Sequence, residues 1–207
     1  MTPGSLFWML ATAFLLGAAN PLSSASDNPQ NEWPRHRGDP ALNGIARSEL
    51  GKKLSLEWVF DTGDFLKSSV VVAHGLAYIG AESGTLHAID LKSGKEKWSY
   101  KTEMAIEAPP LVEAGQVFAG STDGFLYALD ALTGDVRWNY ETDGEVLGAP
   151  NQAFRPKSKD SVLVVGSYDN FVHCVDLVSG KLLWKFETQN YVNGVPTIYE
   201  GKYVVFG

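Results

Sequence analysis

The amino-acid sequence predicts an all-β protein, a β-propeller of four-stranded antiparallel blades in which three blades are complete and others are present only as fragments. Three observations lead to this prediction: a repeat of about forty residues, a tryptophan at one fixed position in each copy, and short apolar runs bounded by glycine. A unit made only of strands cannot bury both of its faces alone. Radial stacking of such units is therefore the expected arrangement.

The repeat is defined by three segments that align without gaps. Residues 88–98 (AIDLKSGKEKW) return as residues 128–138 (ALDALTGDVRW) and as residues 174–184 (CVDLVSGKLLW). Trp58 precedes them with only the last part of the motif, and the four tryptophans are 40, 40 and 46 residues apart. The spacing predicts blades in a common register, with six extra residues in the third.

An aspartate, a glycine and a tryptophan are constant in this motif. In Asp-x-x-Ser/Thr-Gly, the carboxylate and hydroxyl can accept hydrogen bonds from turn N–H groups, and the glycine can take the left-handed conformation. A large aromatic side chain at a fixed phase indicates packing between blades rather than ligand contact. We expect structural roles for the repeat positions Trp58, Trp98, Trp138, Trp184, Asp90, Asp130, Asp176, Gly94, Gly134 and Gly180.

Each unit also shows the pattern of four short strands. Runs rich in β-branched and aromatic residues end at glycine, and the pairs that follow them place Gly or Asn second, as a tight hairpin requires. The runs are residues 76–80, 116–120 and 162–166, and the turn pairs are residues 83–84, 123–124 and 169–170. We also expect an isolated outer strand at residues 56–60 and two inner strands from residue 195 onward.

Composition limits the function classes. With 44% apolar residues, the chain can bury a core. Its formal net charge of −7 and isoelectric point near 5.1 argue against a nucleic-acid partner and an anionic membrane surface, because both require a basic face.

The first 25 residues are predicted to be a secretory signal peptide. Residues 6–19 form an apolar run that is short for a bilayer span, and small residues precede a cleavage site that we place after Ala25. An uncleaved anchor is the alternative. Residues 26–53 follow as an N-terminal segment and residues 54–207 as the propeller repeats, so the mature chain is expected to be exported without stable membrane insertion.

Cys174 is the only cysteine, which excludes an intrachain disulfide and a lipidated cysteine after the apolar run. It takes the place of Ala88 and Ala128 in the repeat, and is therefore expected to be a small buried hydrophobe.

His87 and His173 occupy the repeat position of Tyr127, so we expect the three to share one environment. A position that accepts either Tyr or His makes a poor metal ligand.

These residues resemble the tryptophan-docking motif of the quinoprotein-like propeller repeats, Ala-x-Asp-x-x-x-Gly-x-x-x-Trp. All three copies match at Asp, Gly and Trp, and the third has Cys174 in place of Ala. The resemblance covers residues 54–207. Residues 33–40 (WPRHRGDP), with Gly44, are similar to the first segment of many exported bacterial members, without a chemistry attached to them.

The resemblance implies two functions. The catalytic members are alcohol and glucose dehydrogenases that hold pyrroloquinoline quinone and calcium at the propeller axis; the alcohol dehydrogenases also have a disulfide between adjacent cysteines, which this sequence lacks. The non-catalytic members, similar to the outer-membrane assembly factor BamB, are scaffolds that present loops to a protein partner. They are lipidated, and this chain lacks the cysteine that would carry the lipid.

We expect a non-catalytic exported scaffold with a protein partner and no cofactor, and we assign no catalytic, cofactor-binding or metal-binding residue. The alternative is the N-terminal part of a dehydrogenase dependent on pyrroloquinoline quinone, with calcium in the complete parent. A sensor or carbohydrate-binding module is a third reading. Gly207 is in register with Gly166, so about half of a longer parent of seven or eight blades is expected to be missing.

Charge divides between the two faces that an antiparallel meander creates. The turns between second and third strands and the blade connectors carry Glu82, Glu103, Glu107, Asp123, Asp143, Glu145 and Asp169. The opposite face carries Lys92, Lys95, Lys181, Arg155, Lys157 and Lys159, mixed with Glu96, Asp135 and Asp160. The acidic face is either a solvated surface or a docking or cation site. The insertion at residues 154–160 is expected to be an exposed loop, where other blades need only a glycine.

Overall fold

The computed structural model describes residues 32–46, 53–155, 158 and 160–207. The predicted signal peptide, residues 1–25, and residues 26–31 and 47–52 of the N-terminal segment lie outside these described residues. The strands form three four-stranded sheets and one two-stranded sheet, and each sheet is an antiparallel meander. This arrangement confirms the predicted all-β partial propeller.

The strand bounds follow the repeat. The first sheet contains β1 (Val71–Ala73), β2 (Leu76–Gly80), β3 (Thr85–Asp90) and β4 (Glu96–Lys101). The second contains β5 (Leu111–Glu113), β6 (Gln116–Gly120), β7 (Phe125–Asp130) and β8 (Val136–Glu141), and the third contains β9 (Asn151–Phe154), β10 (Ser161–Gly166), β11 (Phe171–Asp176) and β12 (Leu182–Glu187). The fourth contains β13 (Thr197–Tyr199) and β14 (Tyr203–Val205). The strands expected at residues 76–80, 116–120, 162–166 and beyond 195 are confirmed.

The sheets repeat one another in detail. The third and fourth strands of every complete sheet shift register at the same repeat position, between Ala88 and Ile89, Ala128 and Leu129, and Cys174 and Val175. A bulge at a fixed place gives each outer strand the same local twist. The tryptophan that follows is therefore presented at the same height in each blade.

Two kinds of tight turn join the inner strands. Gly84, Gly124 and Asn170 have φ of 92°, 91° and 70° between the second and third strands, as the turn pairs predicted. The turn between the first and second strands needs two consecutive residues with positive φ, so a single glycine does not complete it. Ala114 and Gly115 both have positive φ, at 50° and 73°, and the corresponding turns have the same form.

The core lies between sheets. Tyr78 of β2 is fully buried against Leu129 of β7, and its hydroxyl donates a 3.0 Å hydrogen bond to the Ala131 carbonyl in the next sheet. Cys174 is buried in the cluster that joins the third and fourth sheets, where burial raises the pKa of its thiol to about 11. This confirms the reading of Cys174 as a small buried hydrophobe.

The first strands of neighbouring sheets contact each other, β1 with β5 and β9 with β13. They therefore lie nearest the propeller axis. The prediction of an outer strand at residues 56–60 is wrong, because these residues pair with no other strand in the part of the chain that the structure describes.

Candidate functional site: blade interfaces, axial segment and loops

Three of the four repeat tryptophans dock against the blade that follows them. Each indole Nε1 donates to the carbonyl of the residue after the aspartate in the following sheet: Trp58 to Leu91 at 2.8 Å, Trp98 to Ala131 at 3.0 Å, and Trp138 to Leu177 at 3.2 Å. The ring lies over the glycine of the same turn. Each copy of the motif therefore supplies two parts of the packing. Its turn is covered by the tryptophan of the preceding copy, and its own tryptophan covers the turn of the following copy.

Glycine is required in these turns for two reasons. Gly134 and Gly180 have φ of 78° and 68°, which L side chains rarely adopt. A Cβ would also lie 2.7 Å from the Trp98 ring at Gly134 and 2.5 Å from the Trp138 ring at Gly180. The tryptophan can therefore approach only a glycine.

The aspartate holds the same turn in shape. Asp130 Oδ1 accepts hydrogen bonds from the backbone N–H groups of Leu132 (2.9 Å) and Thr133 (3.0 Å). In the other turns, hydrogen bonds from Ser93 and Ser179 lower the pKa of Asp90 and Asp176. The aspartates therefore stabilise the turn as ionised acceptors.

Trp184 differs from the other three tryptophans. Trp58, Trp98 and Trp138 are half-buried, whereas Trp184 is 43% exposed and has no Asp-x-x-x-Gly turn beside it among the described residues. The expected packing between two blades is therefore wrong for Trp184. The fourth sheet has two strands among the described residues, and neither places a glycine turn under the Trp184 ring.

His87, Tyr127 and His173 occupy one repeat position, but only Tyr127 and His173 share the same environment. Tyr127 donates to Asp123 Oδ2 at 2.9 Å, and His173 Nε2 lies 2.9 Å from Asp169 Oδ2 in the same arrangement, with Tyr140 Oη 2.9 Å from its Nδ1. His87 departs from it, because its Nδ1 is 2.6 Å from Glu96 Oε1.

Burial raises the pKa of Asp169, but the contact with His173 and backbone hydrogen bonds outweigh it and hold that pKa below its usual range. No three His, Cys, Asp or Glu side chains converge in a metal-binding arrangement within the described part of the chain.

Residues 33–46, here called the axial segment, lie against the inner strands of all four sheets. The backbone of Trp33 pairs with Val72 of β1 through two 2.8 Å hydrogen bonds. The Pro34 carbonyl accepts from Val112 of β5, and the Pro40 carbonyl accepts from Ile198 of β13. Sequence reasoning gave this segment no role, because it stands outside the repeat.

Arg35 fixes the axial segment between two blades. It is 6% exposed; its Nη2 donates to Glu113 Oε2 at 2.6 Å and its Nη1 to Asn151 Oδ1 at 3.2 Å. Asn151 in turn donates to the carbonyls of Pro40 and Pro196. Burial lowers the pKa of Arg35, and the charge of Glu113 opposes that shift. Glu113 Oε2 and Asn151 Oδ1 are thus hydrogen-bonded to a cationic side chain of the protein itself.

The acidic face has internal partners that the sequence did not suggest. Lys67 pairs with Glu82 and Glu107 at 2.8 Å each. Asp123 and Asp169 accept backbone N–H groups of the neighbouring connectors, at 3.2 Å and 3.3 Å. Four of the acidic side chains therefore stabilise the blade connectors. This argues against the interpretation of the acidic face as a cation site.

The insertion connects β9 and β10, where a loop was expected, but its first residue, Phe154, is the last residue of β9 and pairs with Ser161. Phe154 is 59% exposed, and Arg155, Ser158 and Asp160 are exposed as well. The Arg155 N–H donates to the Asp160 carbonyl at 2.9 Å, which closes the base of the loop. Residues 156, 157 and 159 lie outside the described part.

No helix among the described residues has the length and apolar character needed to cross a membrane.

Comparison with known proteins gives one family. The model of the family described as outer membrane protein assembly factor BamB matches residues 45–155 and 149–207. Among curated proteins, lupanine 17-hydroxylase [cytochrome c] from a Pseudomonas species is 40% identical over 65 residues, which are 30% of this chain and 9% of that protein. The chain thus spans a small part of this relative.

Two solved structures have the same fold. BamB from Moraxella catarrhalis superposes with a TM-score of 0.63 at 23% identity, over 74% of this chain and 47% of its own. The quinohemoprotein alcohol dehydrogenase from Comamonas testosteroni gives a TM-score of 0.64 at 23% identity, over 80% of this chain and 28% of its own. At these identities, the likeness shows the fold alone.

Proposed function

Because the chain belongs to the family described as outer membrane protein assembly factor BamB, we propose that it is a non-catalytic, exported β-propeller that binds protein partners through its loops. Residues 6–19, the apolar run of the predicted signal peptide, support export. The net charge of −7 supports a protein partner over nucleic acid.

Arg35 is the observation that carries the non-catalytic reading. The catalytic members that the repeats resemble hold quinone and calcium at the propeller axis, and calcium takes oxygen ligands. Near the axis, Glu113 Oε2 and Asn151 Oδ1 already accept hydrogen bonds from Arg35, whose guanidinium supplies the positive charge. These residues do not fit a resident calcium ion or an axial cofactor.

The loops provide the surface for a partner. The connection between β9 and β10 has no counterpart in the other blades, where two residues complete the turn. At its start, the exposed Arg155 follows the exposed aromatic ring of Phe154, the last residue of β9. Aromatic and arginine side chains are enriched among residues that dominate binding energy in protein interfaces.

A dehydrogenase fragment is the second candidate. It is favoured by the 40% identity with part of lupanine 17-hydroxylase [cytochrome c]. In that case, the described blades would form part of the wall around a quinone and calcium site, which residues outside this chain would complete.

A pull-down tests the scaffold proposal. Purified full chain and a variant with Ala-Gly in place of residues 155–160, copied from the Ala114-Gly115 turn, are incubated with an envelope extract of the exporting cells. We expect specific proteins to be recovered with the full chain and to be depleted with the variant. Unfolding midpoints should be similar, because surface loops change length at little thermodynamic cost.

A Lys92→Ser, Lys95→Ser variant alters another turn on the same face and is the matched control. Equal recovery of every protein with the full and shortened chains would show that the loop has no recognition role. Recovery no higher than with an unrelated propeller would contradict the scaffold function itself.

A further inference from the structure

Two stacked aromatic rings lie on the acidic face, where the third sheet meets the connector that follows it. The rings of Tyr168 and Tyr191 have centroids 4.4 Å apart and planes 30° apart. Tyr168 lies in the turn between β10 and β11, and Tyr191 lies in the connector between β12 and β13. The equivalent positions hold Glu82 and Ala105 in the first repeat, and Thr122 and Glu145 in the second. Among the described sheets, only the third therefore has an aromatic pair at this place.

The exposure of Tyr191 is a property of its position in the repeat. Tyr191 is 50% exposed, and Glu145, at the same repeat position, is exposed as well. Glu145 lies between two complete sheets. Its carbonyl accepts from the N–H of Tyr168 in the third sheet at 2.9 Å, and the next residue, Val146, donates to the carbonyl of Ser121 in the second at 3.0 Å. A side chain at this position thus reaches solvent even where complete blades lie on both sides of it.

Unpaired negative charge lies beside the two rings. Asp143 and Glu145 belong to the connector that packs on the turn between β10 and β11, and both side chains are exposed. Neither forms a salt bridge within the described part of the chain. At the first sheet, by contrast, Lys67 pairs with both Glu82 and Glu107. The rings therefore lie where this face keeps its negative charge.

A positively charged side chain is complementary to both features. The face of a tyrosine ring attracts the guanidinium of arginine or the ammonium of lysine, and arginine is found there more often. Nearby carboxylates attract the same cation and steer its approach. No cation of the described residues lies over the ring of Tyr168 or Tyr191.

We propose that Tyr168 and Tyr191, together with Asp143 and Glu145, form a docking surface for an arginine-rich segment of a partner protein. An arginine of that segment stacks on the exposed ring of Tyr191, and its neighbouring cations pair with the two carboxylates. The proposal rests on the scaffold function and deepens it, because it names the chemistry of the partner. This surface lies on the face opposite the loop between β9 and β10, so the two can be tested separately.

Direct titration tests this surface. The probe is a fluorescently labelled Gly-Arg-Gly-Arg-Gly-Arg-Gly peptide, titrated with the full chain at low salt and followed by anisotropy. We expect saturable binding that weakens about fivefold with Tyr191→Ser and is retained with Tyr191→Phe, because the guanidinium contacts the ring. Glu145→Gln should weaken binding and reduce its dependence on salt.

Phe65→Ser is the matched control for Tyr191→Ser. Phe65 is an exposed ring at the same repeat position, but the turn beside it carries Glu82, which Lys67 already neutralises. We therefore expect Phe65→Ser to leave binding of the peptide unchanged. The same peptide with glutamine in place of arginine should not bind.

Absence of saturable binding would overturn the proposal, as would equal binding of the glutamine peptide. Equal weakening by Tyr191→Ser and Phe65→Ser would overturn it as well, since it would show charge attraction without a defined site. A dimer of the full chain that disappears with Tyr191→Ser would overturn it in favour of a second copy. In the pull-down, recovery unchanged by Tyr191→Ser would count against this surface alone, whereas recovery no higher than with an unrelated propeller would count against the scaffold function.

Discussion

Trp138→Ala is expected to lower the free energy of unfolding by about 3 kcal/mol, and Trp184→Ala by less than about 1 kcal/mol. The first value is at the lower end for large core truncations, because Trp138 is half-buried. Trp138 loses its packing over Gly180 and its hydrogen bond to Leu177, whereas Trp184 makes neither contact among the described residues. Both changes are measured by urea unfolding followed by circular dichroism.

The two tryptophans occupy the same repeat position, so each serves as the matched control of the other. Equal losses for the two tryptophans would contradict the blade-docking assignment.

The same interface can also be disturbed from the opposite side, at the glycine that the indole ring covers. Gly180→Ala and Gly115→Ala share the strain of a positive φ, but only the first places a Cβ against an indole ring. We expect Gly180→Ala to cost about 2 kcal/mol more than Gly115→Ala.

Arg35→Met should destabilise the protein by about 3 kcal/mol, because it leaves the Glu113 carboxylate without its cation while retaining most of the apolar stem. Arg137→Met is the control. Arg137 also pairs with a carboxylate at 2.6 Å, that of Asp130, but its side chain is 57% exposed. An exposed pair of this kind contributes less than about 1 kcal/mol.

A double-mutant cycle isolates the Arg35 pair. Glu113→Gln removes the charge of the acceptor, and the double variant should lose less stability than the two single losses added together. Additive losses would mean that Arg35 acts through packing alone. In that case the axial segment would be held by its backbone hydrogen bonds to β1, β5 and β13 rather than by the ion pair.

Sequence reasoning succeeded where structure depends on neighbours along the chain. Asp130 and Gly134 form their turn with residues two to four positions away, so the motif alone predicts their geometry. The strands within the repeat were predicted correctly for the same reason, since the repeat fixes both the pairing partner and the register of each strand. Residues 56–60 have the composition of a strand, but a strand also needs a partner, which composition does not supply.

The axial segment could not be predicted in this way. The partners of Arg35 lie 78 and 116 residues further along the chain, and a single sequence carries no signal that pairs them. His87 shows a similar limit. Its repeat position predicted a contact like that of Tyr127, yet Glu96 on the adjacent strand is close enough to pair with it instead.

The most direct test of the non-catalytic reading is a titration of the purified full chain with pyrroloquinoline quinone in the presence of calcium, followed by absorbance and tryptophan fluorescence. Because Arg35 donates to Glu113 Oε2 and Asn151 Oδ1 near the axis, we expect no saturable change at micromolar quinone. The Arg35→Met chain serves as the comparison, since it removes the guanidinium from both acceptors. Tight one-to-one binding by the unaltered chain would contradict the account and favour the dehydrogenase.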